Sequence, residues 1–231
     1  MRAIIFDFDG VIADTEPLHY EGLRRTLADI DILLTEPDYY ANYLGFDDRG
    51  CIIEALRVNQ RPISGSLVLD LMQKKAVAYL ASVKEHLVIF PGVKTLVEQA
   101  AADYPLAIAS GALRAEIELI LEQAGLRKAF GHITSAEAVT NGKPDPQPFL
   151  HALAGLNQQA ALSPPLRPSD CLVIEDSLPG IRAALSAGMK VLAVANTHTV
   201  QDLQEADAIS PSLNGLRLND IEARLWRASG S

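Results

Sequence analysis

Asp7 and Asp9 stand two residues apart in Ile4-Ile5-Phe6-Asp7-Phe8-Asp9-Gly10, at the end of a run with the residue types of a buried strand. An ionised carboxylate against a core costs on the order of several kcal/mol unless a cation or hydrogen-bond donors neutralise it. Three later segments carry groups suited to join them. Ser110-Gly111 follows the apolar run 106–109, Glu175-Asp176-Ser177 follows the run 171–174, and Lys143 sits in Thr140-Asn141-Gly142-Lys143-Pro144. Acids, a hydroxyl, glycine-freed amides and one ammonium suit phosphoryl transfer, which needs a placed nucleophile and masked phosphate charge. An oxygen-rich acidic site also prefers Mg²⁺, which would compensate Asp7 and Asp9.

Each group has a plainer reading when taken alone. Asp-x-Asp could form a turn or a calcium site, and Ser110 could cap a helix. Lys143 could be a solvated loop lysine, and Glu175-Asp176 could cap the helix that Pro179 begins. It is their combination that favours phosphoryl transfer.

The elements that must position these groups follow from periodicity. Short apolar runs at 3–8, 106–109, 171–174 and 191–194 read as strands, and helical patterns occupy 94–102, 113–124, 146–155 and 178–187. That alternation predicts an α/β fold whose parallel sheet is covered on both faces, with ligands beyond the carboxyl ends of its strands. On a strand over 3–8, Asp7 and Asp9 would share a face. Residues 15–87 differ: apolar positions recur at helical spacing through 16–34, 36–45, 48–58 and 66–86, with no strand between them. The expected organisation is one domain of 1–14 and 88–231, interrupted by an all-helical insert of 15–87 able to act as a lid. The stretch 157–169 contains Pro164-Pro165 and Pro168 and reads as an irregular surface loop.

Composition narrows the function classes. The 231 residues are 48% hydrophobic with a net charge of −9, enough for a packed core and contrary to a nucleic-acid footprint. No apolar run is long enough to span a bilayer, and no basic-then-apolar leader opens the sequence, so no membrane partner and a cytoplasmic location are expected. Cys51 and Cys171 lack any metal or redox spacing and read as small reduced hydrophobes.

DFDGVIADTEPLH at 7–19, SGALR at 110–114, NGKPDPQPF at 141–149 and IEDSLPGIRAALSAGM at 174–189 together resemble the haloacid dehalogenase superfamily. The form of the first motif and the early helical insert are similar to the subfamily of β-phosphoglucomutase and phosphoglycolate phosphatase. That resemblance implies a Rossmann-like parallel-sheet core with an inserted α-helical cap. It implies that Asp7 attacks phosphorus and that Asp9 protonates the leaving oxygen and later activates water. Mg²⁺ would take Asp7, the backbone carbonyl of Asp9 and Asp176, with Glu175 in or near the shell. Ser110, the Gly111 amide and Lys143 would hold the transferring phosphoryl group.

Thr15 and His19 lie at the junction into the cap. The family often carries this histidine, and a plain surface histidine is the other reading. Asp14 and Glu16 read as solvated or capping residues. Gly180, with the small residues after it, reads as letting a helix approach the sheet.

Asp9 argues against dehalogenase chemistry and leaves phosphate monoesters. The choice between hydrolysis and a mutase rests on the cap. The mutase pattern has a basic residue before the cap glycine, where Leu44 stands before Gly45, and its arginine falls one place from Arg49, after Asp47-Asp48. The favoured expectation is an Mg²⁺-dependent phosphatase for a small phosphorylated metabolite. A β-phosphoglucomutase-type mutase and a non-catalytic binding module are the alternatives, and a monomer is the default assembly.

Overall fold

The computed structural model describes residues 1–43, 46, 48–160 and 163–227. Leu44, Gly45 and Asp47, on which the comparison with the mutase pattern turned, lie outside the described residues. In chain order, strand β1 (Ala3–Phe6) leads into helices α1 (Glu16–Ala28), α2 (Glu36–Asn42), α3 (Asp48–Val58) and α4 (Gly65–His86). Then follow α5 (Val93–Asp103), β2 (Leu106–Ala109), α6 (Arg114–Ala124), β3 (Phe130–Thr134), α7 (Gln147–Ala160) and β4 (Cys171–Glu175). The chain continues through α8 (Leu178–Ser186), β5 (Lys190–Val194), β6 (Ala208–Ser210) and α9 (Leu218–Glu222). It divides into two compact units, 1–14 with 88–231 and 15–87.

The larger unit holds a six-stranded sheet in the order β3-β2-β1-β4-β5-β6. Every neighbouring pair is parallel, with Ile5 opposite Ala107 on one side and Val173 on the other. All residues of β1, β2 and β4 are buried, which is why these strands read as continuous apolar runs rather than alternating ones. Chain order reverses direction between β1 and β4, so the crevice beyond their carboxyl ends is the place such a sheet offers a ligand.

Several boundaries differ from the sequence expectation. β1 stops at Phe6, not at residue 8. Asp7 makes one further sheet bond, from its N–H to the Ile174 carbonyl (2.9 Å), and the chain then turns. The Phe8 carbonyl accepts from Val11, Ile12 and Ala13, and Gly10 takes φ +78°. A turn therefore sets the relation of Asp9 to Asp7, and the pleat does not. α1 ends at Ala28, short of residue 34, although Ile32 and Leu34 still join the helical unit's buried cluster.

The stretch 157–169 is more ordered than expected. α7 runs on to Ala160, the Asn157 side chain exchanges two hydrogen bonds with the Leu166 backbone, and Pro168–Asp170 form a 3₁₀ turn. Proline is tolerated there because the first position of a turn needs no N–H partner. Residues 161–162 lie outside the described residues.

The helical unit buries one apolar cluster, including Leu23, Leu27, Ile52, Leu56, Val68 and Leu71. α1 lies close along α4: a Cβ on Gly22 would stand 3.3 Å from the Tyr79 backbone nitrogen. In the larger unit the two chain crossings run side by side. Asp14 N–H donates to the Val88 carbonyl (3.0 Å), and Phe90 N–H to that of Ile12 (3.1 Å).

Candidate active site

Four loops at the carboxyl end of the sheet converge in the larger unit. Lys143, one turn before α7, places Nζ 2.6 Å from Asp7 Oδ1 and 2.7 Å from Glu175 Oε1, and 5.0 Å from the Phe149 ring centroid. It is thus held by two buried carboxylates, not solvated. Ser110 is buried. Its hydroxyl accepts from Ala112 N–H (2.9 Å) and donates to Asp9 Oδ2 (3.4 Å). Where α6 begins, the Leu113 amide donates to Glu116 and the Arg114 amide to Glu137, which leaves Ser110 no part as that helix's cap. A Cβ on neighbouring Gly111 would meet nothing within 4 Å, so its backbone faces open space.

Glu175 is fully buried, and both of its oxygens are engaged. Oε1 takes Lys143, while Oε2 accepts from the Asp176 and Ser177 amides (2.7 Å each) and the Ser177 hydroxyl (2.9 Å). The N-cap of α8 is Ser177, whose hydroxyl accepts from Gly180 N–H (3.2 Å). Gly180 itself packs on the Glu175 carboxylate: a Cβ there would fall 1.6 Å from Oε1. Its smallness serves that carboxylate directly.

The ligand oxygens of Asp7, Glu175 and Asp176 lie within 4.8 Å of one another. Burial pushes the Asp7 carboxyl well above its ordinary range. Lys143 opposes that shift, and Glu175 and Asp176 add to it. Burial and Glu175 raise Asp176 to about 7. Burial works the same way on Glu175, but Lys143 and the Ser177 donors outweigh it and hold this acid below the usual carboxylate value. Burial disfavours the Lys143 ammonium, yet Asp7 and Glu175 more than compensate and keep it protonated. One ammonium among three buried carboxylates leaves the cluster short of positive charge, and a hard divalent cation fits that deficit and the all-oxygen donor set. With Glu175 saturated, Asp7 and Asp176 are the carboxylates better placed to give such a cation an oxygen.

Two residues here carry no motif. Asn196 Nδ2 donates to the Gly10 carbonyl (2.7 Å), and the Thr197 hydroxyl donates to Asp176 Oδ2. Both lie just past the carboxyl end of β5, after Ala195, and so share with Ser110 and Asp176 the strand-end position that marks a ligand site in such a sheet.

Thr15, His19 and Arg49 belong to the helical unit. Thr15 is buried before α1, and its carbonyl accepts from the Leu18 and His19 amides, while Arg49 is exposed on α3. His19 is not a plain surface residue. Its Nδ1 lies 2.6 Å from Lys75 Nζ, and its ring stacks on Tyr79 at 4.4 Å. Lys75 is itself buried and paired with Asp48 (2.6 Å). Glu16 accepts from the Tyr39 hydroxyl (2.5 Å), which makes it a tie between helices and not a solvated junction acid. Cys51 and Cys171 are buried, and burial raises the Cys171 thiol to about 12. No helix among the described residues is long and apolar enough to cross a membrane.

A family model described as haloacid dehalogenase-like hydrolase matches residues 4–194. A phosphorylated carbohydrates phosphatase of Thermotoga maritima is 31% identical over 91% of this chain and 93% of its own. Among solved structures, β-phosphoglucomutase from Clostridium difficile superposes with a TM-score of 0.81 over the whole of both chains at 24% identity. CbbY from Rhodobacter sphaeroides, in complex with xylulose-(1,5)bisphosphate, gives 0.79 over 94% of this chain and 96% of its own at 25% identity.

Proposed function

The chain belongs to the haloacid dehalogenase-like hydrolases, and on that footing we propose that it is an Mg²⁺-dependent phosphatase of a small phosphorylated carbohydrate or similar metabolite. The observation that carries the reading is the placement of Asp7. It stands at the switch point of the sheet, 2.6 Å from a lysine and within a cluster of carboxylates suited to a cation.

In this reading an Asp7 carboxylate oxygen attacks phosphorus, the P–O ester bond breaks, and Asp9 delivers its proton to the leaving oxygen. Asp9 then takes a proton from water, which attacks phosphorus and releases phosphate, returning Asp7 to its carboxylate. Lys143 stabilises the Asp7 anion and offers N–H groups to the phosphoryl oxygens, with Ser110 and the Gly111 amide as further donors. Asp7, the Asp9 carbonyl and Asp176 would hold Mg²⁺, whose chemistry is to offset the charge that gathers on the phosphoryl oxygens. The substrate class follows the name of the Thermotoga relative.

The test is phosphate release from a panel of phosphorylated sugars and phosphoglycolate with Mg²⁺, with β-glucose 1-phosphate also followed for isomerisation. Asp7→Asn is expected to lower turnover more than about a thousandfold while the melting temperature is kept or raised. Normal turnover in that variant would remove Asp7 as nucleophile. Isomerisation without release would replace the phosphatase by a mutase.

A further inference from the structure

The loop after β5 grips the cluster from a side that none of the sequence motifs covers. Thr197 Oγ1 is hydrogen-bonded to Asp176 Oδ2 and lies 3.0 Å from His198 Nδ1. A hydroxyl has one hydrogen. Since a carboxylate oxygen can only accept, that hydrogen goes to Asp176, and His198 Nδ1–H must donate to Thr197. The result is a directed chain of donors ending on the acid. On the same loop, Asn196 fixes the Gly10 carbonyl at 2.7 Å. Gly10 in turn is the floor under Asp176: a Cβ there would fall 2.0 Å from Oδ2. Two adjacent side chains thus hold both the turn that carries Asp9 and the carboxylate of Asp176.

We infer that Thr197 is a positioning residue for the divalent cation: by occupying Oδ2 of Asp176 it turns the remaining oxygen toward the cluster with Asp7. This rests on the metal-dependent reading above. Acting through Asp176, it tunes affinity without touching substrate. Hydrogen-bond partners that orient a ligating carboxylate typically alter metal affinity by about 10–100-fold when lost.

The experiment is isothermal titration of Mg²⁺ into the full-length protein without substrate, for wild type, Thr197→Val and Thr197→Ser. Valine keeps the shape and removes the O–H, and serine keeps the O–H. Thr197 is exposed, so neither change opens a core. The expected result is Mg²⁺ binding weakened about tenfold in Thr197→Val and within about twofold of wild type in Thr197→Ser, with both variants folded by circular dichroism and Thr197→Ser melting as wild type without metal. In the phosphate-release assay, Thr197→Val should need about tenfold more Mg²⁺ for half-maximal rate and recover kcat at saturation. Equal Mg²⁺ affinity in Thr197→Val and wild type would overturn the inference, as would a wild-type protein that binds no Mg²⁺. Mg²⁺ binding that responds to Thr197 in a protein without phosphatase activity would uphold it and overturn the phosphatase reading instead.

Discussion

Lysine and histidine are treated in opposite ways in this protein, and the difference comes from the charges beside them. Lys143 is kept cationic by two carboxylates, whereas burial and then the charge of Lys75 lower His19 to about 3. The Lys75 ammonium donates to His19 Nδ1, so the imidazole is neutral with its hydrogen on Nε2. A histidine depressed in the folded state leaves folding untouched above the unfolded value near 6.5, where both states are neutral. Below it the unfolded chain gains a proton that the folded chain refuses. Stability is therefore lost as pH falls from about 6.5 toward about 3, at no more than about 1.4 kcal/mol per pH unit. His19→Asn keeps an acceptor for Lys75 and removes the titration. Urea unfolding at a series of pH values is expected to show the gap between wild type and variant narrowing through that window. Parallel profiles would mean that His19 titrates normally in the fold.

At the scale of elements, the site depends on how closely α8 lies over the end of β4. Gly180→Ala would drive a methyl group into the Glu175 carboxylate, whose oxygens also hold Lys143 and the Asp176 and Ser177 amides just before the helix. Overpacking of this kind costs about 1–3 kcal/mol, and here it also displaces a buried ion pair, so a loss at or above the top of that range is expected together with reduced turnover. Gly65→Ala at the start of α4, where a Cβ would meet nothing within 4 Å, is the control and should be neutral or slightly stabilising in the same denaturation series.

This contact also marks what could be read beforehand. The run CLVIE and the Ser-Leu-Pro entry to α8 have the patterns of a buried strand and a capped helix, so both elements were legible. β3 was not, because Gly131 and His132 interrupt its apolar pattern at the sheet edge, and three-residue β6 has no period to detect. Asp7 and Glu175 announced themselves as charges beside apolar runs, and Lys143 as the lysine of the motif NGKPDPQPF. Thr197 and Asn196 did not, since a hydroxyl and an amide in a polar loop carry no charge to mark them, and only their place beyond the strand 191–194 pointed to them. The saturation of Glu175 was equally hidden, because it depends on which donors face it.

For the whole molecule, the decisive fact is that each unit has its own apolar core. The cluster holding Ile5, Phe149, Val173 and Ile181 draws only on 1–14 and 88–231, and the cluster holding Leu27, Ile52 and Leu71 only on 15–87. A segment with its own core can in principle fold alone, provided that removing its neighbour does not separate strands that must pair. The larger unit meets that condition. Asp14 and Val88 are joined by a backbone hydrogen bond of 3.0 Å, and Ala13 and Ile89 form an antiparallel bridge, so the two ends left by an excision are already adjacent. Deleting 15–87 and joining 14 to 88 through a short Gly-Ser linker replaces a long insertion by a tight loop, which lowers the closure entropy that β1 must overcome to enter the middle of the sheet. The shortened protein is expected to melt in one cooperative transition by circular dichroism. It should also bind Mg²⁺ within about tenfold of the full chain, because Asp7, Asp176, Lys143 and Thr197 all remain. A non-cooperative melt would show that the larger unit depends on the helical one for its stability, and would contradict the independence that the two cores imply.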